Sequence, residues 1–217
     1  MFKKIDKFIK AEFDLSAVGP LMISTGKSNE TDPRLPDNTF LMGYNGNESA
    51  FVIPGSSIKG VISNYVYHAV NGNEDRVKQL FGTDKPVARK SKIAFHDAYA
   101  DMSTIKTSVR YSTAVDPVLG NAKQHSLNNM QAVEKGVFKA GFRLINPTNE
   151  ELVLIIKALE AVNKGIVRFG GNKSRGFGAM QVDNFRMTIY SGYNDMLEPI
   201  EYAVYNSLNE CSMEVCN

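Results

Sequence analysis

The sequence predicts an α+β fold: a ferredoxin-like (RRM-like) βαββαβ core with long insertions after the first strand and between the second and third strands. Three observations predict it. Segments with the two-residue period of half-buried strands alternate with segments of helical period, in the order strand, helix, strand, strand, helix, strand. Two connections, 16–55 and 100–136, are far longer than ordinary links in a compact domain. The chain of 217 residues, 43% hydrophobic and 22% charged, suits one soluble globular domain able to bury its own core.

The first strand is Ile9 to Leu15, where Ile9, Ala11, Phe13 and Leu15 alternate with Lys10, Glu12 and Asp14. Ile58, Val61, Ile62, Tyr65, Val66 and Ala69 then keep helical spacing behind "IPGSS", and "NGN" at Asn71 to Asn73 closes that helix. "SKIAFHDAY" and "VFKAGFRLI" read as the second and third strands. Thr148 with Glu151 three residues later is a capping-box signature, and Leu152, Ile155, Ile156, Leu159 and Val162 continue it as the second helix, which Gly165 ends. "AMQVDNFRMTIY" is the last strand. One domain is therefore expected over 1–190, with insertions at 16–55 and 100–136, followed by an acidic tail over 191–217. That tail carries Asp195, Glu198, Glu201, Glu210 and Glu214, and a solvated surface helix is its default reading.

Bulk composition excludes more than it assigns. A net charge of +2 offers no global attraction for nucleic acid, so any such function has to rest on local clusters. "MFKKIDKFIK" has no apolar run behind its lysines, which reads as neither signal peptide nor membrane anchor and places the protein in the cytoplasm. Cys211 and Cys216 form no disulfide framework, and His68, His96 and His125 lack zinc-ligand spacing.

The chemistry-bearing stretch is "RFGGNKSRGFG", in which Gly170, Gly171, Gly176 and Gly178 bracket Lys173, Ser174 and Arg175. Glycine permits close backbone approach, and bare N–H groups beside cations form an anion-holding concavity. The start of the first helix, "GSSIKG", offers Ser56, Ser57, Lys59 and free N–H groups to a phosphate, although serine there is also an ordinary cap. Lys85, Arg89, Lys90 and Lys92 form a further basic cluster, read either as a solvated face or as a groove for a single strand. Asp32 and Asp37 sit among prolines and asparagines in the first insertion, where turn chemistry competes with a role in metal binding or in orienting a 2′-hydroxyl. "TGKS" at Thr25 to Ser28 lacks the earlier glycine of a phosphate-binding loop, since Leu21 stands there.

Taken in order, "IPGSSIKG", "LFG" before "SKIAFHDAY", "VRYSTAVDP" and "GGNKSRGFG" resemble the RAMP superfamily of CRISPR-associated proteins. More narrowly, the chain resembles the backbone subunit of type III (Csm or Cmr class) RNA-guided effector complexes. That resemblance implies an RRM-like core whose copies stack in a helical filament along a guide RNA beside other effector subunits. It implies a thumb-like insertion within 100–136, preceded by Arg110 and Thr113 at the family's arginine and threonine positions. It further implies that Asp37, with Asp32 in reserve, cleaves bound target RNA with magnesium or another divalent cation. The alternative is a scaffold that binds RNA and cuts nothing. Val61 and Ser63 stand where the family carries basic residues on the first helix. The residues expected at RNA are thus Ser56, Ser57, Lys59, Arg110, Gly170, Gly171, Lys173, Ser174, Arg175 and Gly176.

Overall fold

The computed structural model describes residues 4–24, 36–83, 88–114, 116–118, 120–122, 126–194 and 198–215. The protein is α+β, with a mostly antiparallel sheet and four helices among the described residues. The strands are β1 (Phe8–Ala17), β2 (Met42–Asn45), β3 (Glu48–Ile53), β4 (Ile93–Phe95), β5 (Ala98–Ala100), β6 (Lys106–Ser112), β7 (Asn128–Ile145), β8 (Met180–Tyr193) and β9 (Pro199–Tyr205). The helices are α1 (Gly55–Ala69), α2 (Glu74–Phe81), α3 (Asn149–Asn163) and α4 (Leu208–Val215). Their spatial order is β2-β3-β5-β7-β1-β8-β9, with β4 and β6 also pairing to β7.

β1 lies at the centre, paired to β7 on one side and β8 on the other. Its alternation is the reason. Ile9, Ala11, Phe13 and Leu15 are buried in the core that also holds Ile58, Ile62 and Val66 of α1 and Leu152, Ile155, Ile156, Leu159 and Val162 of α3. Each of these side chains larger than alanine contributes about 1.5–3 kcal/mol on leaving water. Lys10 and Glu12 point to the opposite, exposed face and pair at 2.7 Å. Asp14 on that face is only 6% exposed, and Lys139 (2.8 Å) and Asn184 (2.8 Å) match its charge and its hydrogen-bonding capacity.

The expected capping box of α3 is present: Thr148 accepts from the Glu151 backbone, and Glu151 accepts from the Thr148 backbone. Glu151 also receives Lys92 at 2.8 Å, so this member of the basic cluster fastens the chain before β4 to a helix start. Lys85 lies outside the described residues.

Three features depart from the expected pattern. The stretch 16–55, read above as an insertion, contains the β2–β3 hairpin, turned at Gly46 (φ 63°), with Phe51 packed beside Phe40 and Ile53 buried. Its strands are too short for a periodic signal. Helix α2 follows α1 directly, with Asn73 as its N-cap, and only Leu80 and Phe81 are buried, so its pattern is faint. The residues after 190 are not merely a solvated acidic tail. β8 continues to Tyr193, β9 pairs with β8 at the sheet edge, and α4 packs on α3 with Leu208 and Cys211 buried.

In the second insertion β6 and the first part of β7 form a long hairpin arm, and β7 then continues into the sheet against β1. Leu21 and Val133 exchange backbone hydrogen bonds of 2.8 and 2.9 Å at the arm's base.

Because Leu208 is buried, Leu208→Ala should destabilise the protein by about 2–5 kcal/mol. Denaturant unfolding checks this, and a silent substitution would mean that the last helix contributes nothing to the fold.

Candidate nucleic-acid interface

The glycine-rich stretch folds as a tight loop between α3 and β8. Phe169 and Phe177 are buried at its two ends, while Asn172 (φ 55°) and Gly176 (φ 86°) adopt left-handed conformations on either side of a single 3-10 turn, Lys173–Arg175. Arg175 N–H donates to Asn172 O at 2.9 Å, and the Asn172 amide donates to Met130 Sδ at 3.0 Å. The result is a turn that pushes Lys173, Ser174 and Arg175 into solvent.

The glycines have separate causes. A Cβ on Gly170 would lie 2.1 Å from Met22 O, and one on Gly178 would lie 2.0 Å from Phe169 O, so neighbouring backbone demands both. Gly176 serves its positive φ. Gly171 answers to neither demand: its φ is not in the left-handed region, and no atom lies within 4 Å of its Cβ position. The expected nest of bare N–H groups is corrected, because Gly171 N–H donates to Met22 O (2.9 Å) and Gly176 N–H to Lys173 O (3.2 Å). An anion at this loop meets side chains rather than those two amides.

The loop forms one wall of a groove of about 1300 Å³. Arg168, Gly170, Gly171, Asn172, Lys173 and Arg175 line that wall. Helix α1 supplies a second wall with Ser57, Gly60, Val61, Asn64, Tyr65 and His68, the face beside its buried Ile58, Ile62 and Val66. The β6–β7 arm closes it with Ser112, Thr113, Ser126, Asn128 and Met130, and Thr113 and Ser126 share a hydrogen bond of 2.7 Å. Among the described residues three lysine or arginine side chains line this groove and no carboxylate does. Lys173 and Arg175 have no acidic partner among the described residues. A strand of phosphates is the ligand that such a potential attracts.

The start of α1 is a second correction. Pro54 occupies the N-cap position and no side chain from Ser56 or Ser57 caps the helix. Instead Gly55 N–H donates to the Asp97 carboxylate at 2.7 Å, a partner sequence reasoning missed because it comes from the link between β4 and β5. That carboxylate repels a phosphate from the helix terminus. Ser57 reaches the groove by its place on the helix face, whereas Ser56 and Lys59 are not among its lining.

Arg110, on β6, is ion-paired with Glu134 across the arm at 2.8 Å and does not line the groove. Its guanidinium, helped by the Ser108 hydroxyl, holds the Glu134 carboxyl below the usual carboxylate range against the opposing effect of burial. Asp37 lies next to the groove-lining Asn38 and forms a reciprocal pair with Asn129: Asp37 N–H donates to Asn129 Oδ1, and Asn129 N–H donates to Asp37 Oδ2 at 2.9 Å. Asp32 and the Thr25 to Ser28 stretch lie outside the described residues. Among the described residues no group of three or more His, Cys, Asp or Glu side chains gathers to hold a metal.

Sequence reasoning missed Arg168, Asn172, Asn64 and His68 as groove residues. The signal for two of them was available: Ser57, Gly60, Asn64 and His68 recur at three- and four-residue spacing, a polar helix face beside the apolar one.

The unequal roles of the glycines give a direct check. Gly178→Ala should cost about 1–3 kcal/mol through positive φ (87°) and collision with Phe169 O, whereas Gly171→Ala should melt like the parent protein. Thermal unfolding of the two variants side by side tests the assignment.

A family model described as the RAMP superfamily matches residues 14–181, a span that runs from β1 through the glycine loop into β8. No curated protein matches the chain's sequence. With most of its length matched, the chain belongs to the RAMP superfamily of CRISPR-associated, RNA-binding proteins.

Proposed function

We propose that this chain is the guide-RNA-binding backbone subunit of a type III (Csm/Cmr class) CRISPR ribonucleoprotein that also cleaves paired target RNA with a divalent metal ion. The carrying observation is the groove itself, which sets Arg168, Lys173 and Arg175 against hydroxyl- and amide-bearing walls without a carboxylate among the described residues. Phosphate contacts of this kind position a strand without reading its bases, so target choice falls to guide pairing. The neighbour order β5-β7-β1-β8, with α1 between β1 and β5 in the chain and α3 between β7 and β8, supports a ferredoxin-like core. The β6–β7 arm beside the groove supports the thumb reading of the second insertion. Copies of the subunit repeating along one guide, beside other effector subunits in the cytoplasm, complete the reading. No described helix is long and apolar enough to cross a membrane.

Asp37 fits the proposed metal in one respect. Magnesium takes one or two carboxylates together with substrate phosphates and water, so a single aspartate at the groove's edge suffices once RNA is bound. The ion would supply charge stabilisation at the scissile phosphate. Asp37 itself would hold the ion through the oxygen that does not accept from Asn129. The Asp37–Asn129 pair also favours a second reading, a non-catalytic scaffold in which the aspartate only ties the first insertion to the arm.

Two outcomes are expected. Lys173→Ala with Arg175→Ala should weaken single-stranded RNA binding roughly tenfold or more, equally for unrelated sequences. It should also flatten the dependence of log K on log salt by about 1.4, from a slope of about −0.7 per phosphate contact. Fluorescence anisotropy across a salt series checks both, and unchanged binding removes the loop from the interface. Asp37→Asn in the assembled complex should abolish magnesium-dependent cutting while target binding persists. Retained cutting in a gel assay would favour the scaffold reading for this residue.

A further inference from the structure

The groove's charge is one-sided. Among the described residues all three lysine or arginine side chains of the groove lie on the wall formed by the glycine loop and the residues before it, whereas the α1 wall presents Ser57, Gly60, Asn64 and His68. Val61 and Tyr65 also lie on that wall, and among the described residues no lysine or arginine of α1 does. Gly60 lies within α1, where glycine is the weakest helix former after proline. Nothing among the described residues explains it. Its φ is not positive, it is exposed, and a Cβ built there meets no atom within 4 Å. Gly171, on the loop wall, shares that condition. Both glycines are among the residues that line the groove.

We infer that the α1 wall is the part of the interface that distinguishes RNA from DNA. A strand whose phosphates lie on Arg168, Lys173 and Arg175 turns its sugars toward α1. Gly60 lets a ribose rest against bare helix backbone, where a methyl group would hold it off. Ser57 and Asn64, three residues before Gly60 and four after it on the same helix face, exchange hydrogen bonds with 2′-hydroxyls. A hydroxyl and an amide suit this task because the 2′-hydroxyl both donates and accepts. A cation in either place would favour phosphate and would be indifferent to the sugar. This inference rests on the groove binding a nucleic-acid strand, as proposed above.

The test compares RNA and DNA single strands of one sequence, bound to the full-length chain by anisotropy at fixed salt. Ser57→Ala with Asn64→Ala should lower RNA affinity about three- to tenfold and leave DNA affinity nearly unchanged, which narrows the RNA-to-DNA ratio. Gly60→Ala should raise the melting temperature by roughly 2–4 °C and yet weaken RNA binding, opposite signs that a folding defect cannot produce. Lys173→Ala with Arg175→Ala should weaken both strands equally. Loss of affinity in that double variant, with an unaltered RNA-to-DNA ratio in the Ser57/Asn64 variant or parental RNA binding in Gly60→Ala, overturns the ribose-reading wall and leaves the groove reading standing. Binding of both strands that is indifferent to Lys173 and Arg175 overturns the groove reading and this inference together.

Discussion

Four consecutive residues, Pro20 to Ile23, hold the site together through backbone hydrogen bonds. Pro20 O accepts from Gly178 N–H (2.8 Å), Leu21 exchanges two bonds with Val133, Met22 O accepts from Gly171 N–H (2.9 Å), and Ile23 O accepts from Leu41 N–H (2.7 Å). In one short stretch the glycine loop, the base of the β6–β7 arm and the start of the β2–β3 hairpin are tied to a common line. Beneath it, Met22, Met130, Ala132 and Phe177 make a small apolar cluster, so loop and arm are packed together as well as bonded. Gly170 and Gly178 are consequences of this clasp, since any larger residue there would collide with the backbone it brings close.

The electrostatics follow from where the acids are used. Asp97 takes the start of α1, Glu151 takes the start of α3 and Lys92, Asp14 takes Lys139, Glu134 takes Arg110 and Asp37 takes Asn129. These carboxylates hold elements in place, and among the described residues none of them lines the groove, although Asp37 stands at its edge. Arg168, Lys173 and Arg175 give the groove a local positive potential that no carboxylate among the described lining residues offsets, although the whole chain carries a net charge of only +2. Local fields of this kind steer charged ligands independently of total charge.

Much of the core was legible in the pattern of residues. The alternation of β1, the helical spacing of α1 and the capping box of α3 each express a local preference that the packed structure rewards in the same sense. The glycine loop was legible as a local feature for the same reason, being a cluster of glycines and cations with no apolar residue between its phenylalanines. The shorter elements were not. β2 and α2 bury too few residues for periodicity to rise above chance, β3 buries four in a row and so shows no alternation, and β9 and α4 were masked by an acidic composition while Leu208 and Cys211 carried the packing of α4.

The sequence by itself determined the fold class, the order of the main elements and the identity of the cationic loop, because those depend on contacts between residues close in the chain. Tertiary structure alone decided which side chains share the groove. Ser57, Thr113 and Lys173 are far apart in sequence and line one cavity, while Lys59 and Arg110, equally basic on paper, do not. It also decided that the start of α1 belongs to Asp97, and that Gly171 and Gly60 face open space when Gly170 and Gly178 face backbone. Distances between segments remote in the chain set these outcomes, and no local pattern encodes them.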